Sequence, residues 1–291
     1  MKKSIAAALV CLVFAWFGPG AQAQEATVPT APQIIAKLVA KYAGLTSLAV
    51  SGRVITDIDT SGGKAPAAAP KDGAMNWDPA KPGTVTLFNV RLAKPDWYRI
   101  EWSQVITAAY TNKGAAWSSG NGHFISLAGK KRSIEGGMEM ALASATGVSG
   151  GVAFTLPPVF FQLRTNELQS LGNLAQLPEE KIGDEVCYVV SGNLTSGQKL
   201  ILWITEDYWL RQKRMVLGGE MKMPDMSDDD IKKAMATLGQ EATPEAIARM
   251  RDMMKSAKAM SSSMKGSITE KYETIQANPS VTKESFDYQP D

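Results

Sequence analysis

Apolar positions first recur at helical spacing in PQIIAKLVAKYAGL, where Ile34, Ile35, Leu38, Val39, Tyr42 and Leu45 share one face. This predicts an amphipathic helix after a Pro-rich leader at 26–32. The period then changes to two. SLAVSGRVITDID is rich in β-branched residues and predicts a strand. Residues 60–83 are rich in Gly, Pro and Ala without a period, which predicts a long flexible surface loop. Short strands follow: TVTLFNVRL, DWYRIEWS, VITAAYTN, AAWSS and HFISLA, with turns expected at Asn112-Lys113-Gly114 and Gly120-Asn121-Gly122. Alternation puts Phe88, Val90 and Leu92 on one side of the first. In the second, Tyr98, Ile100 and Trp102 oppose Trp97, Arg99 and Glu101, giving one strongly aromatic face.

Beyond a Gly- and Met-containing stretch, LPPVFFQLRTNELQSLGNL predicts a helix that starts near its two prolines. EVCYVVSGNL, KLILWITED and YWLRQKRMVLGG read as three hairpin-linked strands, GSITEKYETIQ as another, and KESFDYQPD as a terminal edge strand. Between the last two hairpin partners, Met215 to Met264 holds 10 of the 14 methionines. Ser227 before Asp228-Asp229-Asp230, and Thr243-Pro244-Glu245, are two helix starts, so 220–265 is expected to be a helical hairpin inserted into a sheet. Methionine is unbranched and polarizable, so Met250, Met253, Met254 and Met260 either fill a gap or line a surface that adapts to an apolar partner.

Many strands and few helices, without βα alternation, define an α+β chain built on an antiparallel sheet. Composition narrows the function. The 31 basic residues against 29 acidic include Lys2 and Lys3 of an expected leader, leaving a balanced remainder. That balance argues against a nucleic-acid partner. MKK, the apolar run Ile5 to Phe17, Gly18-Pro19-Gly20 and Ala21-Gln22-Ala23 read as a secretory signal, with cleavage expected after Ala23 and a single domain at 24–291. The apolar run is shorter than the roughly 20 residues of a membrane-spanning helix. The expected product is periplasmic. Cys11 lacks the small residue that a lipid-anchor cysteine needs before it, and Cys187, within an apolar run, is expected to be a buried thiol.

Catalytic chemistry is sparse. His123 is the one histidine, so no zinc set forms, and it is expected at the surface or in a turn. The Gly-rich stretches lack the context of a phosphate cradle. Asp228 to Asp230 are read as a helix cap rather than a cation site. No enzyme and no cofactor are predicted.

The order of helix, strand, long loop, RLAKPDWYRIEW, Lys113-Gly114-Ala-Ala-Trp117, mid-chain helix, CYVV, LWIT, WLRQKRM and SFDYQP resembles the LolA/LolB-like superfamily of periplasmic lipoprotein carriers over most of 33–290. The resemblance implies an incomplete, curved antiparallel barrel with an apolar concave face under a helical lid, holding a lipoprotein acyl chain or other lipid. It implies cavity positions at Phe88, Val90, Leu92, Tyr98, Ile100, Trp102 and Trp117. Lys94 matches the basic residue that latches the lid, where the family has arginine. Two other readings stand beside the carrier: an interaction or envelope-stress-sensing module whose Met-rich hairpin docks a hydrophobic segment of an envelope protein, and an inert exported domain whose cavity its own helices fill.

Overall fold

A computed structural model describes residues 28–59, 84–107, 110–218, 227–237, 242–263 and 265–290. The expected leader and the 60–83 loop lie outside the described residues.

Helix α1 (Ala31–Ala43) begins at Thr30, whose backbone N–H donates to the Gln33 carboxamide at 2.8 Å, and buries the predicted face, Ile34, Ile35, Leu38 and Tyr42. Strands β1 (Ser47–Asp59), β2 (Thr84–Ala93), β3 (Trp97–Thr107), β4 (Tyr110–Ser118), β5 (His123–Leu127) and β6 (Lys130–Ile134) follow as an antiparallel meander. Helices α2 (Gly137–Thr146) and α3 (Val152–Phe160) and a 3-10 turn at Glu167–Ser170 come next. A second meander contains β7 (Gly172–Ile182), β8 (Glu185–Asn193), β9 (Lys199–Thr205) and β10 (Leu210–Leu217). Helices α4 (Asp228–Thr237) and α5 (Pro244–Ser263) then precede β11 (Lys265–Ala277).

Among the described residues eleven strands form one sheet in the order β6-β5-β4-β3-β2-β1-β11-β10-β9-β8-β7. The sheet is curved and does not close. Its edges, β6 and β7, are consecutive in sequence, so segment 135–171 between them bridges the opening from one edge to the other. That segment and α1 cover the concave face, and a core cluster runs through all three. This is the α+β, unclosed antiparallel architecture that the resemblance implied. Among the described residues no helix is long and apolar enough to cross a membrane.

Several expectations are corrected. Lys113-Gly114 is no turn; it lies inside β4, opposite Ser103 and Trp102. A Cβ on Gly114 would stand 2.2 Å from the Trp102 ring, so this glycine is required by close approach. Pro157 and Pro158 lie near the end of α3 rather than at its start. A helix of nine residues has few bonds for a proline to remove, and all but one of its side chains are buried. The Met-containing stretch before it is helical, as α2. Strands β6 and β7 carry few buried side chains and gave no sequence signal. KESFDYQPD forms no strand: Lys283–Phe286 is a 3-10 turn on the convex side, with Phe286 buried against Trp97 at 5.9 Å between ring centroids.

The inserted hairpin has the two predicted caps. Ser227 Oγ accepts from the Asp230 N–H at 3.2 Å, and Thr243 Oγ1 from the Ala246 N–H at 3.2 Å. Ile231, Met235 and Ile247 are buried in a cluster of their own, with Ala242, Ala246 and Met250 against it.

Candidate functional site

Residues paired across antiparallel strands share a face, so register gives the concave floor row by row. One row runs Ser118, Tyr98, Leu92 and Leu48. The next runs Ile125, Ala116, Ile100, Val90 and Val50, and a third Leu127, Gly114, Trp102, Phe88, Gly52 and Tyr272. Phe88, Val90, Leu92, Tyr98, Ile100 and Trp102 are each at most 3% exposed and lie in one apolar cluster. Trp117 belongs elsewhere. Its partner is Arg99, on the convex face, where its ring meets Phe124 at 5.5 Å and Tyr288 at 5.2 Å. The resemblance implied a cavity position for Trp117, and the register with Arg99 puts it on the other face.

The fourth row is polar. It runs Gln104, Thr86, Val54, Glu270, Lys213 and Leu202. Lys213 Nζ donates to Glu167 Oε1 at 2.6 Å and to Thr155 Oγ1 at 2.6 Å, and lies 3.1 Å from Glu270 Oε1. Tyr272 donates to Glu270 Oε2 at 2.6 Å, and Thr155 to Glu270 Oε1 at 3.1 Å. Lys213, Glu167 and Glu270 are all buried, at 5%, 6% and 1% exposure. Burial pushes the Glu167 carboxyl up, against the pull of Lys213. For Lys213 burial pulls the ammonium down, but Glu270 and Glu167 outweigh it and the net direction is up. Glu270 and Lys213 belong to the sheet, whereas Glu167 and Thr155 belong to the cover. This cluster leaves no local mark in the sequence, since Lys213 in LRQKRM looks like its exposed neighbour Arg214 and only register separates them.

The cover is anchored at few polar points. Lys94 Nζ donates to the Ala43 carbonyl at the end of α1 and stands 5.5 Å from the centroid of the Phe160 ring on α3, joining two covering helices. Lys41 reaches the Asp207 carbonyl at 2.6 Å. Tyr42 OH accepts from the Leu210 N–H at 3.2 Å, and burial raises its pKa. Between α2 and α3, Gly150 and Gly151 have φ of 72° and 101°, left-handed values that favour glycine. They sit over the polar row: a Cβ on Gly150 would be 3.4 Å from Val54 Cβ, and one on Gly151 3.3 Å from Glu270 Oε1. Gly136 and Gly137, at the other end of α2, have φ of 90° and 82°.

His123, expected at the surface or in a turn, is half-buried on β5 and pairs with Tyr98 OH at 3.1 Å through Nδ1. Burial lowers its pKa, with Asp96 pulling the other way, and burial raises that of Tyr98. Cys187 is a buried free thiol, as expected. Among the described residues no cluster of His, Cys, Asp or Glu has a metal-binding arrangement. Met250 is half-buried inside the hairpin's own cluster, while the side chains of Met253, Met254 and Met260 lie outside the described residues.

No family model and no curated protein sequence matches the chain. Among solved structures it is similar to the Mycobacterium tuberculosis lipoprotein LppX, at 11% identity and TM-score 0.39, covering 86% of this chain and 98% of that one. It is similar to a putative outer membrane lipoprotein-sorting protein domain from Vibrio parahaemolyticus, at 10% identity and TM-score 0.33, covering 89% and 96%. A LolA superfamily protein from Nitrosomonas europaea matches at 12% identity and TM-score 0.28, covering 90% and 99%. At such scores the likeness concerns the fold alone and says nothing of a ligand.

Proposed function

We propose that the protein is a non-enzymatic binding or carrier protein for an apolar ligand, whose hydrocarbon chain lies on the concave face once segment 135–171 lifts. The reading keeps the periplasmic location that the start of the sequence predicts. One observation carries it: beside α1, the floor's cover is a helical segment strung between the two edges of an unclosed sheet, with left-handed glycine pairs at both ends of α2. Helices share no ladder bonds with a sheet, so this cover can leave without breaking the strands.

Magnitudes allow exchange. Leu142, Leu156, Val159 and Phe160 of the cover are buried, each contributing about 1.5–3 kcal/mol, on the order of 10 kcal/mol together. A chain of about a dozen methylenes offers a similar amount at about 0.8 kcal/mol each. Carriers need that near-equality, because a ligand held much more tightly than its cover would not be released.

A disulfide tests the reading. Val54→Cys with Gly150→Cys brings two Cβ atoms to 3.4 Å, just under the usual disulfide separation of about 3.5–4.5 Å, at some backbone cost from the left-handed φ of Gly150, and would tie the α2–α3 junction to β1. The reduced variant should take up an aliphatic fluorescent probe as the unmodified protein does, and the oxidised variant should lose uptake. Equal uptake by both forms would place the ligand elsewhere. No uptake by any form, with no lipid found by native mass spectrometry of protein purified from cells, would leave an inert domain filled by its own helices.

A further inference from the structure

Three of the four floor rows are apolar and the fourth is not, so the floor is itself amphiphilic. Replacing a buried ion cluster by apolar residues of similar volume is often neutral or stabilising, so the stability of the closed form does not account for this one. Its composition is informative. Lys213 has three N–H donors; Glu167 and Thr155 of the cover take two, and Glu270, its cross-strand partner on the sheet, lies within reach of the third. With the cover lifted, the sheet keeps one cation and one carboxylate, a neutral pair, and two ammonium donors have lost their acceptors. One carboxylate is removed from the cluster and one anionic position opens.

Resting on the reading above, we propose that the ligand is a singly anionic amphiphile whose head group takes the place of Glu167 at Lys213 while its hydrocarbon tail runs over Trp102, Phe88, Ile100 and Val90. The exchange conserves charge, since one buried carboxylate leaves as one ligand anion arrives. It also conserves hydrogen bonding, because a carboxylate or phosphodiester offers two oxygens to the donors left by Glu167 and Thr155. A neutral long-chain alcohol matches the tail but leaves the ammonium short of a charged partner. A head with several anionic groups brings more charge than the position gives up.

The test is a ratio of affinities, measured by displacement of an aliphatic fluorescent probe at about pH 8, where a carboxylate is ionised. Palmitate and lysophosphatidylglycerol supply the two chemical forms of the anion, a carboxylate and a phosphodiester, and hexadecanol is the neutral reference. Either or both anions should bind about tenfold or more tightly than hexadecanol, and whichever is preferred identifies the form.

Lys213→Met alone leaves two buried carboxylates without their cation and is expected to compromise folding. Lys213→Met/Glu167→Gln/Glu270→Gln removes all three charges together. In that variant the ratio should fall to about one. Glu167→Gln, which keeps Lys213, changes the cover's hold on every ligand alike and should leave the ratio unchanged. A ratio near one in the unmodified protein, with all three ligands bound, overturns the anionic head and leaves the hydrocarbon reading standing. A tenfold ratio that persists in the triple variant removes Lys213 from the role. Absence of binding by all three overturns the hydrocarbon reading itself.

Discussion

At the residue scale, Glu167 carries the most distinctive chemistry, because it is the carboxylate that the cover brings to the buried Lys213. The groups facing it are Lys213 and Glu270 from the sheet and Thr155 from α3. Its folded-state pKa is raised, so its contribution to stability is full below the ordinary carboxylate value and is lost as pH rises through the raised one. The unmodified protein should therefore gain stability over Glu167→Gln as pH is lowered from about 7 toward the ordinary glutamate value of about 4.3. Denaturant midpoints of the two proteins across that range measure it, with titrating groups outside the Lys213 and Glu270 cluster cancelling in the difference. A difference that does not change with pH contradicts the assignment.

Gly114 makes a second case at this scale. Its missing side chain is the space that the Trp102 ring occupies. Gly114→Ala should cost about 1–3 kcal/mol by overpacking, and an unshifted unfolding midpoint would show that the ring moves freely. The sequence read this glycine as turn chemistry because Asn-Lys-Gly has the composition of a turn. A close contact from the neighbouring strand leaves no local mark.

At the element scale, legibility follows burial. The apolar rows were readable because Phe88, Val90, Leu92 and Tyr98, Ile100, Trp102 alternate with polar residues along strands buried on one face. Strands β6 and β7 were not, since edge strands with largely exposed side chains lack that alternation. The polar row was invisible for a related reason: a buried lysine and an exposed one are the same letter, and only pairing with Glu270 distinguishes Lys213.

The α4–α5 hairpin is an element that the sequence delimited well, and its role is open to direct measurement. Its buried side chains form their own cluster, and Leu217 on β10 pairs directly with Gly266 on β11. Replacing 219–264 by an Asn-Gly turn should therefore join the two strands as a tight hairpin. Uptake of the aliphatic probe should persist, with a thermal midpoint within a few degrees of the full chain, a shift of less than about 1 kcal/mol. Loss of uptake by a folded variant would make the hairpin part of the lid.

At the scale of the whole molecule, every strand pairing but one among the described residues joins strands that are consecutive in chain order. The exception is the seam between β1 and β11, which joins Leu48 to Ala277 at one end and Asp59 to Lys265 at the other. Local hairpins form in microseconds, whereas contacts distant along the chain must first overcome a large loss of loop entropy. Each meander can assemble early, and the seam has to wait for nearly the entire polypeptide. A chain delivered from its N-terminus would thus hold β1 as an unpaired edge for most of its delivery, an interval in which misassembly competes with folding and in which a holding chaperone would matter most.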